Sequence, residues 1–285
     1  MTAKLAIIIP HKNTPQKLRR LLTSIPQLIS VMIIVVDDNS DSELQAHILS
    51  GEFPWVRFET NPGPDYNAGA ARNVGLKAVN AEWLLFADAD DYFVDEGIES
   101  VLFEIESVSD QTDIIFFDIT SLNERSGEVG FRHRGGSERL KQFLADGNET
   151  PVRFQWPTPY GKAIRRSLLT CHQIRFDSVP AGNDVIFSLL SGYHARGLVG
   201  VPKVIYCVTE SNNSLTARLT PERALARLDV LIRTNLNLLN WRIKARLDWG
   251  ATYFIRSLSV PWCRPKIRVY AQYGMLLLRR LIALR

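Results

Sequence analysis

The stretch Trp83–Phe93, WLLFADADDYF, decides how this chain is read. The apolar run Trp83-Leu84-Leu85-Phe86 reads as a buried strand, and it exits into Asp88-Ala89-Asp90-Asp91. A strand leaving the core in this way delivers clustered carboxylates to one end of a sheet, the edge where open α/β sheets bind ligands. Strand alternation would place Asp88 and Asp90 on one face, with the small Ala89 between them. No Lys or Arg neighbours them in sequence, so the two carboxylates would repel unless a cation sat between them. All-oxygen ligation suits Mg2+ or Mn2+, and Mg2+ uses one or two carboxylates with substrate phosphates completing its shell. The other reading of the same residues is an acidic turn after a strand, with Asp91 capping a helix.

Toward the N-terminus, Leu5 to Pro10 and Val31 to Val36 are continuous apolar runs of strand length, as for central parallel strands buried on both faces. The second ends in Asp37-Asp38-Asn39-Ser40. Thr14-Pro15 predicts a helix start, with Thr14 as N-cap and Pro15 in the first helical position. A helix and a strand over Val56 to Glu59 follow, then a Gly-, Pro- and Asn-rich loop from Asn61 to Asn67. A small-residue helix, Ala68 to Ala78, contains GAARNVG and leads into the acidic strand. Beyond that strand, Asp95 to Ser107 reads as an amphipathic helix and Asp113 to Ile119 as another strand. This alternation predicts an α/β fold, a mostly parallel sheet flanked by helices. The turn after the first strand, Pro10-His11-Lys12-Asn13, has no glycine, and no GxxxxGK[ST] loop occurs, so neither glycine-turn nucleotide motif is present.

Farther on, Arg125 to Gly136 reads as a hairpin or mobile loop. Gln155 to Lys162, QWPTPYGK, sets Trp156 and Tyr160 beside polar groups, a way to hold a sugar ring or simply a packed surface loop. Gly182-Asn183-Asp184 opens an amphipathic helix carrying Ile186, Leu189, Leu190 and Tyr193. The helix dipole favours a carboxylate at Asp184, and a plain capping role for Asn183 or Asp184 is the alternative.

At 285 residues the chain has room for one large α/β domain and an appendage. Its three cysteines are far apart and form neither a disulfide framework nor a CxxC site, which predicts a reducing, cytoplasmic setting. A core strand beginning within a few residues of Met1 predicts no N-terminal signal, and no run reaches the ~20 apolar residues of a membrane span. Charge divides the chain: residues 216–285 hold 14 Lys and Arg against 3 Asp and Glu, a net of +11, so the first 215 carry −7 of the total of +4. Arginines there alternate with Leu225, Leu228, Leu231, Ile232 and Leu239, then with Ile267, Leu277, Leu281 and Leu284, among Trp241, Trp249, Trp262, Tyr270 and Tyr273. Such a segment suits an anionic membrane surface, or a helical tail packed on its own domain or a second subunit. Nucleic acid is not the expected partner, because no recognition motif accompanies the cations.

In order, LAIIIPHKN, MIIVVDDNS, GAARNVGL, LLFADADDYF and YGKAIRRSLL…IRFDSVPAGNDVIF resemble the family 2 glycosyltransferases over roughly residues 4 to 216. The resemblance implies a GT-A fold in residues 1–216; outside it, 217–285 reads as a basic amphipathic helical tail. It also implies inverting transfer from a nucleotide-diphospho-sugar, with a UDP-sugar expected; the basic tail adds the expectation of a saccharide or lipid-linked acceptor in envelope polysaccharide synthesis at the inner face of the membrane. Carried over residue by residue, Pro10 and His11 would line the base pocket and Asp38 or Asp37 would bind the nucleobase. Arg72 would sit near the nucleotide or orient the acidic cluster. Asp88 would contact the ribose or the metal, and Asp90 would hold the Mn2+ or Mg2+ that bridges the phosphates. Asp184 matches the catalytic aspartate, with Trp156, Tyr160, Lys162 and Asn183 as acceptor contacts. Two positions depart from the pattern: Lys12 stands where an aromatic is common, and Asn183 where the usual Glu stands. An amide cannot accept the proton, so Asp184 would act alone.

Three other readings compete with this one. A phosphatase with Asp88 as nucleophile would place its DxD after the first strand, and a sugar-1-phosphate nucleotidyltransferase would need a Gly/Arg-rich loop there. The third is a catalytically inactive membrane- or polyanion-binding protein of the same fold.

Overall fold

The protein is described by a computed structural model covering residues 3–210, 220–243 and 250–283, with 280–283 by backbone alone. Strands β1 (Ala3–His11), β2 (Val31–Asp37), β3 (Val56–Thr60) and β4 (Ala81–Phe86) are the Ile-, Val- and Leu-rich runs read from the sequence. With β5 (Tyr92–Phe93), β6 (Thr112–Asn123), β7 (Lys162–Arg165) and β8 (Gly197–Glu210) they make one sheet in the order β3-β2-β1-β4-β7-β6-β8-β5. The first half is parallel throughout, β1 pairing with both β2 and β4. β7 then runs antiparallel between β4 and β6, and β5 antiparallel on β8. Parallel strands buried on both faces need apolar residues at every position, and Leu5 to Ile9 are completely buried.

Helices α1 (Pro15–Thr23), α2 (Ala68–Ala78) and α3 (Gly97–Ser107) connect the first strands. α4 (Arg134–Asp146), α5 (Thr150–Phe154), α6 (Arg166–Cys171) and α7 (Val185–His194) surround the second half. The small residues of α2 are explained by close approach: a Cβ on Gly75 would stand 2.5 Å from the Ile8 side chain, and one on Gly69 only 2.2 Å from the Asp177 carbonyl oxygen. The helix thus lies directly on β1 and on the chain ahead of α7.

Several local expectations are corrected. The segment between β2 and β3 is two short 3-10 turns, Ser42–Leu44 and Ala46–Leu49, and not an α-helix. The Asp37 carboxylate takes the N–H groups of Ser40 and Ala46, folding that segment back onto the strand end. Thr14 does occupy the N-cap position of α1, but its side chain caps nothing. Residues 125–136 are neither a full hairpin nor a long loop: Leu122 bridges Val129, and α4 begins at Arg134.

The basic C-terminal segment forms α8 (Pro221–Asn240), α9 (Ala251–Ser257) and α10 (Arg264–Ala283). Leu228 and Ile232 of α8 join Val269 and Leu276 of α10 in a small core of their own. On its other side α8 packs against α7, where Val230 and Leu238 meet Ile186 and Leu189, and Trp241 stacks on Tyr193 at 3.7 Å. The expected boundary at 216/217, Trp249 and Leu284 lie outside the described residues. Among the described residues no helix is long and apolar enough to cross a membrane.

Candidate active site

The carboxyl ends of β1, β2 and β4 converge, His11 pairing with Asp37 in register and the Ala87 N–H bonding to the Ile8 carbonyl. His11 is buried and both of its nitrogens are used. The Thr14 N–H donates to Nε2 at 3.2 Å, so Nδ1 carries the proton and donates to Asp37 Oδ2 at 3.0 Å. Burial holds the imidazole pKa below its ordinary value against the pull of Asp37. Burial also pushes Asp37 up, but the N–H donors of Ser40 and Ala46 and the bond from His11 outweigh it, and its carboxyl lies below the usual range. Pro10 is buried in β1 as well. Pro10 and His11, expected to line a base pocket, thus sit buried beside Asp37 at the carboxyl end of β1. Asp37 is committed to its own loop. Asp38, also buried, accepts the Asn61 Nδ2 at 2.7 Å on its Oδ1.

Residues 88–91 are a tight turn beyond β4, closed by the Asp91 N–H on the Asp88 carbonyl at 3.0 Å. Strand alternation thus does not set the positions of Asp88 and Asp90, yet the turn still brings them into one field. Burial raises the pKa of Asp90, and the neighbouring Asp88 charge raises it further. The carboxylates are also not free of cations, as the local sequence suggested. Arg72 of α2 pairs with Asp88, and Lys17 of α1 and Arg132 both lower Asp90. Asp91 caps no helix. Its Oδ2 accepts the Tyr206 hydroxyl at 2.9 Å and its Oδ1 the Thr209 N–H at 2.7 Å. Tyr206 in turn accepts the Asp88 N–H at 2.8 Å. Burial, then Asp88 and Asp90, push Asp91 well above the usual carboxylate range. Asp91 and Tyr206 thus anchor the acidic turn to β8, a role that the sequence signalled only as a third aspartate in a row.

Arg72 is 4% exposed. It donates from Nη2 to Asp88 and from Nη1 to Asn183 Oδ1 at 3.1 Å, and its guanidinium lies 5.3 Å from the centre of the Phe176 ring. The orienting role is the one its contacts fit. Asp184 occupies the N-cap position of α7, but its side chain makes no capping bond. Burial raises its pKa, Arg72 and Lys162 pull it down, and Asp88 pushes it up. The acidic turn, Arg72 and the start of α7 therefore form one site.

The aromatic loop is placed differently. Trp156 is 2% exposed, packed on Phe116 with its ring centroid 5.5 Å away. Tyr160 is stacked on Tyr206 at 5.4 Å. Both rings, expected as acceptor contacts, are thus covered by aromatic neighbours. Lys162 is buried too, donating to the Trp156 carbonyl at 2.6 Å and to Ser188 Oγ at 3.3 Å. Burial lowers its pKa to about 7, with Asp184 opposing. Lys162, expected as an acceptor contact, is thus buried close enough to Asp184 to feel its charge.

For a cation, Asp88 and Asp90 are an all-oxygen donor pair in mutual repulsion, which suits a hard divalent ion. Among the described residues no group of three or more His, Cys, Asp or Glu could hold a metal. An ion here would take its remaining ligands from diphosphate and water.

Residues 6–171, more than half of the chain, match Glycosyl transferase family 2. An uncharacterized glycosyltransferase of Haemophilus influenzae is 40% identical over 106 residues, 36% of this chain and 34% of that protein. The Staphylococcus aureus poly(ribitol-phosphate) beta-N-acetylglucosaminyltransferase TarS is 27% identical over 231 residues, 77% of this chain and 38% of that one. This chain spans about a third to three fifths of the length of the curated relatives it matches. The structure of S. aureus TarS residues 1–349 with UDP-GlcNAc superposes with a TM-score of 0.66 at 20% identity, over 90% of this chain and 73% of that one. A mannosyltransferase from Pyrobaculum calidifontis with GDP-Man and Mn2+ superposes with a TM-score of 0.57 at 13% identity, over 100% of this chain and 81% of that one. These likenesses establish the GT-A fold.

Proposed function

Since this chain belongs to glycosyl transferase family 2, we propose that it moves a sugar, with inversion, from a nucleotide-diphospho-sugar to a hydroxyl of a saccharide or lipid-linked acceptor in envelope polysaccharide synthesis. One observation carries the reading: the buried Arg72 side chain holds both Asp88 of the acidic turn and Asn183 beside Asp184. A donor diphosphate at the turn and an acceptor at the start of α7 would then lie on either side of one guanidinium.

Asp38 would take the base and Asp88 and Asp90 the diphosphate end of the donor. The acceptor oxygen forms the new bond to the anomeric carbon as the bond to the diphosphate breaks on the opposite face. Asp184 receives the acceptor proton, and its raised pKa makes it a better base than an exposed aspartate. When bound at Asp88 and Asp90, Mn2+ or Mg2+ supplies charge stabilisation to the departing diphosphate. A UDP-sugar donor is supported by the likeness to TarS, solved with UDP-GlcNAc.

The reaction would take place against the inner face of the membrane, the chain lying peripherally on anionic lipid. Ile255, Leu258, Trp262 and Ile267 are exposed together around the α9–α10 turn, among Arg256, Arg264 and Arg268. Apolar side chains set among arginines suit such a surface.

Thermal stabilisation by UDP-, GDP- and dTDP-sugars, with and without Mn2+, tests the donor site. A shift with one nucleotide sugar that vanishes on chelation and in Asp90→Ala is expected. No shift with any of them would overturn the reading and leave the inactive, surface-binding alternative.

A further inference from the structure

Residues 176–184, which end in Asn183 and Asp184, are gripped from two directions. On one side stands α2. Asn73 donates from Nδ2 to the Phe176 carbonyl at 2.8 Å and accepts the Phe176 N–H at 2.9 Å, and Asn67 Nδ2 donates to Ser178 Oγ at 3.1 Å. On the other side stands α8, from the basic C-terminal segment. Arg233 donates from Nη2 to Asp177 Oδ2 at 2.7 Å and from Nε to Asp229 Oδ2 at 3.0 Å. One turn of α8 away, the Val230 methyls face Gly182, whose φ of +75° suits glycine. The Asp177 N–H closes the loop on the Asn183 carbonyl at 3.0 Å. The carboxylate that Arg233 holds therefore belongs to the residue that fixes the backbone immediately ahead of Asp184.

We propose that Arg233 is a positioning residue for Asp184, and that α8 is part of the active-site scaffold and not a separable appendage. The proposal rests on the reading of Asp184 as the base. Both partners of the Arg233–Asp177 pair are partly solvent-accessible, so the pair adds little to global stability. Its value is geometric. The planar guanidinium fixes Asp229 and Asp177 relative to each other, which a lysine ammonium does not do. Arg268 of α10, with Nη2 3.9 Å from Asp229 Oδ1, extends the same set of charges toward the helix with the exposed apolar surface. Small displacements of a reacting group cost on the order of tenfold to a hundredfold in rate.

The test uses the full chain with Arg233→Lys, Arg233→Met and Asp177→Asn. The measurements are kcat, donor affinity by calorimetry, and hydrogen exchange over 176–184 and 86–91. In Arg233→Met, kcat should fall about tenfold or more. Donor affinity should change less than about twofold, because Asp38 and Asp88 are held by other residues. Exchange should quicken across 176–184 alone. Arg233→Lys should recover only part of kcat, and it carries the test if the Met variant does not fold. Loop exchange unchanged in every variant, kcat unchanged, full recovery with Lys, or donor affinity falling as far as kcat would each overturn the proposal. If the wild-type chain transfers no sugar, the transferase reading fails by itself, and loop exchange still decides whether Arg233 positions 176–184.

Discussion

Arg72 and Asp88 meet at the carboxyl edge of the sheet, guanidinium against carboxylate, although β4 lies between them in the chain. Arg72 comes from a helix packed closely on β1 at Gly75. The same guanidinium holds Asn183. The carboxylates expected to meet the diphosphate and the residue beside the one expected to take the proton are thus bridged by one side chain.

Arg72→Met should therefore harm both halves at once. It leaves Asp88 beside Asp90 and Asp91 with no guanidinium, and it frees Asn183. Breaking a buried pair costs several kcal/mol, but Asp88 is a third exposed, so a loss of only about 1–3 kcal/mol is expected. Activity should fall about a hundredfold or more, and Arg72→Lys should recover little because one ammonium cannot span both partners. Steady-state kinetics and chemical denaturation of the three proteins check this.

Asp184→Asn removes the proposed proton acceptor while keeping the shape. A general base contributes about 10²–10⁴ in rate, so kcat should drop by that range with donor affinity nearly unchanged. In the wild type Asp184 must be ionised to act, and burial raises its pKa. The kcat–pH profile should accordingly rise with pH through a value above that of an ordinary aspartate. A profile already flat from pH 4 upward, or loss of donor binding in the variant, would remove Asp184 from the base role.

The legible parts of this site were those with local signals. Buried parallel strands need unbroken apolar runs, so β1, β2 and β4 could be read directly. Roles that depend on long-range pairing left no local trace. Nothing near His11 announces that Thr14 and Asp37 take both of its nitrogens. Asp91 looks like a helix cap until Tyr206 and Thr209 arrive from β8. Trp156 and Tyr160 have the composition of a sugar platform, but Phe116 and Tyr206 cover their faces. The basic tail showed its amphipathic period, whereas its docking beside Asp184 rests on Arg233 and Asp177, 56 residues apart.

The apolar residues around the α9–α10 turn give a separate expectation. Lys266 is buried and donates to the carbonyls of Leu258 at 2.8 Å and Val260 at 2.5 Å, holding the turn that displays Trp262, 73% exposed. Trp262→Ala with Leu258→Ser should weaken binding to anionic vesicles by about tenfold or more, given ~1.5–3 kcal/mol per large apolar side chain buried. Transfer to a water-soluble acceptor should be unchanged. Equal binding of variant and wild type in vesicle sedimentation would show that this face does not meet lipid.

Lys162 supplies a prediction about stability. Its amine titrates near 7 in the folded chain, against 10.5 for an ordinary lysine, because it is buried. Between those values the unfolded chain binds more protons than the folded one, so this group makes stability rise with pH. Below about 7 both states are protonated and the full cost of burying the charge is felt. Lys162→Met removes that cost, and it also leaves the Trp156 carbonyl without its donor, a loss that does not vary with pH. Relative to wild type, the variant should be most favoured near pH 6 and lose ground as pH rises toward 10, by at most about 1.4 kcal/mol per pH unit. Denaturation of both proteins across that range isolates the group, since other titrations cancel in the difference. A difference independent of pH would mean that the Lys162 amine stays charged in the folded chain.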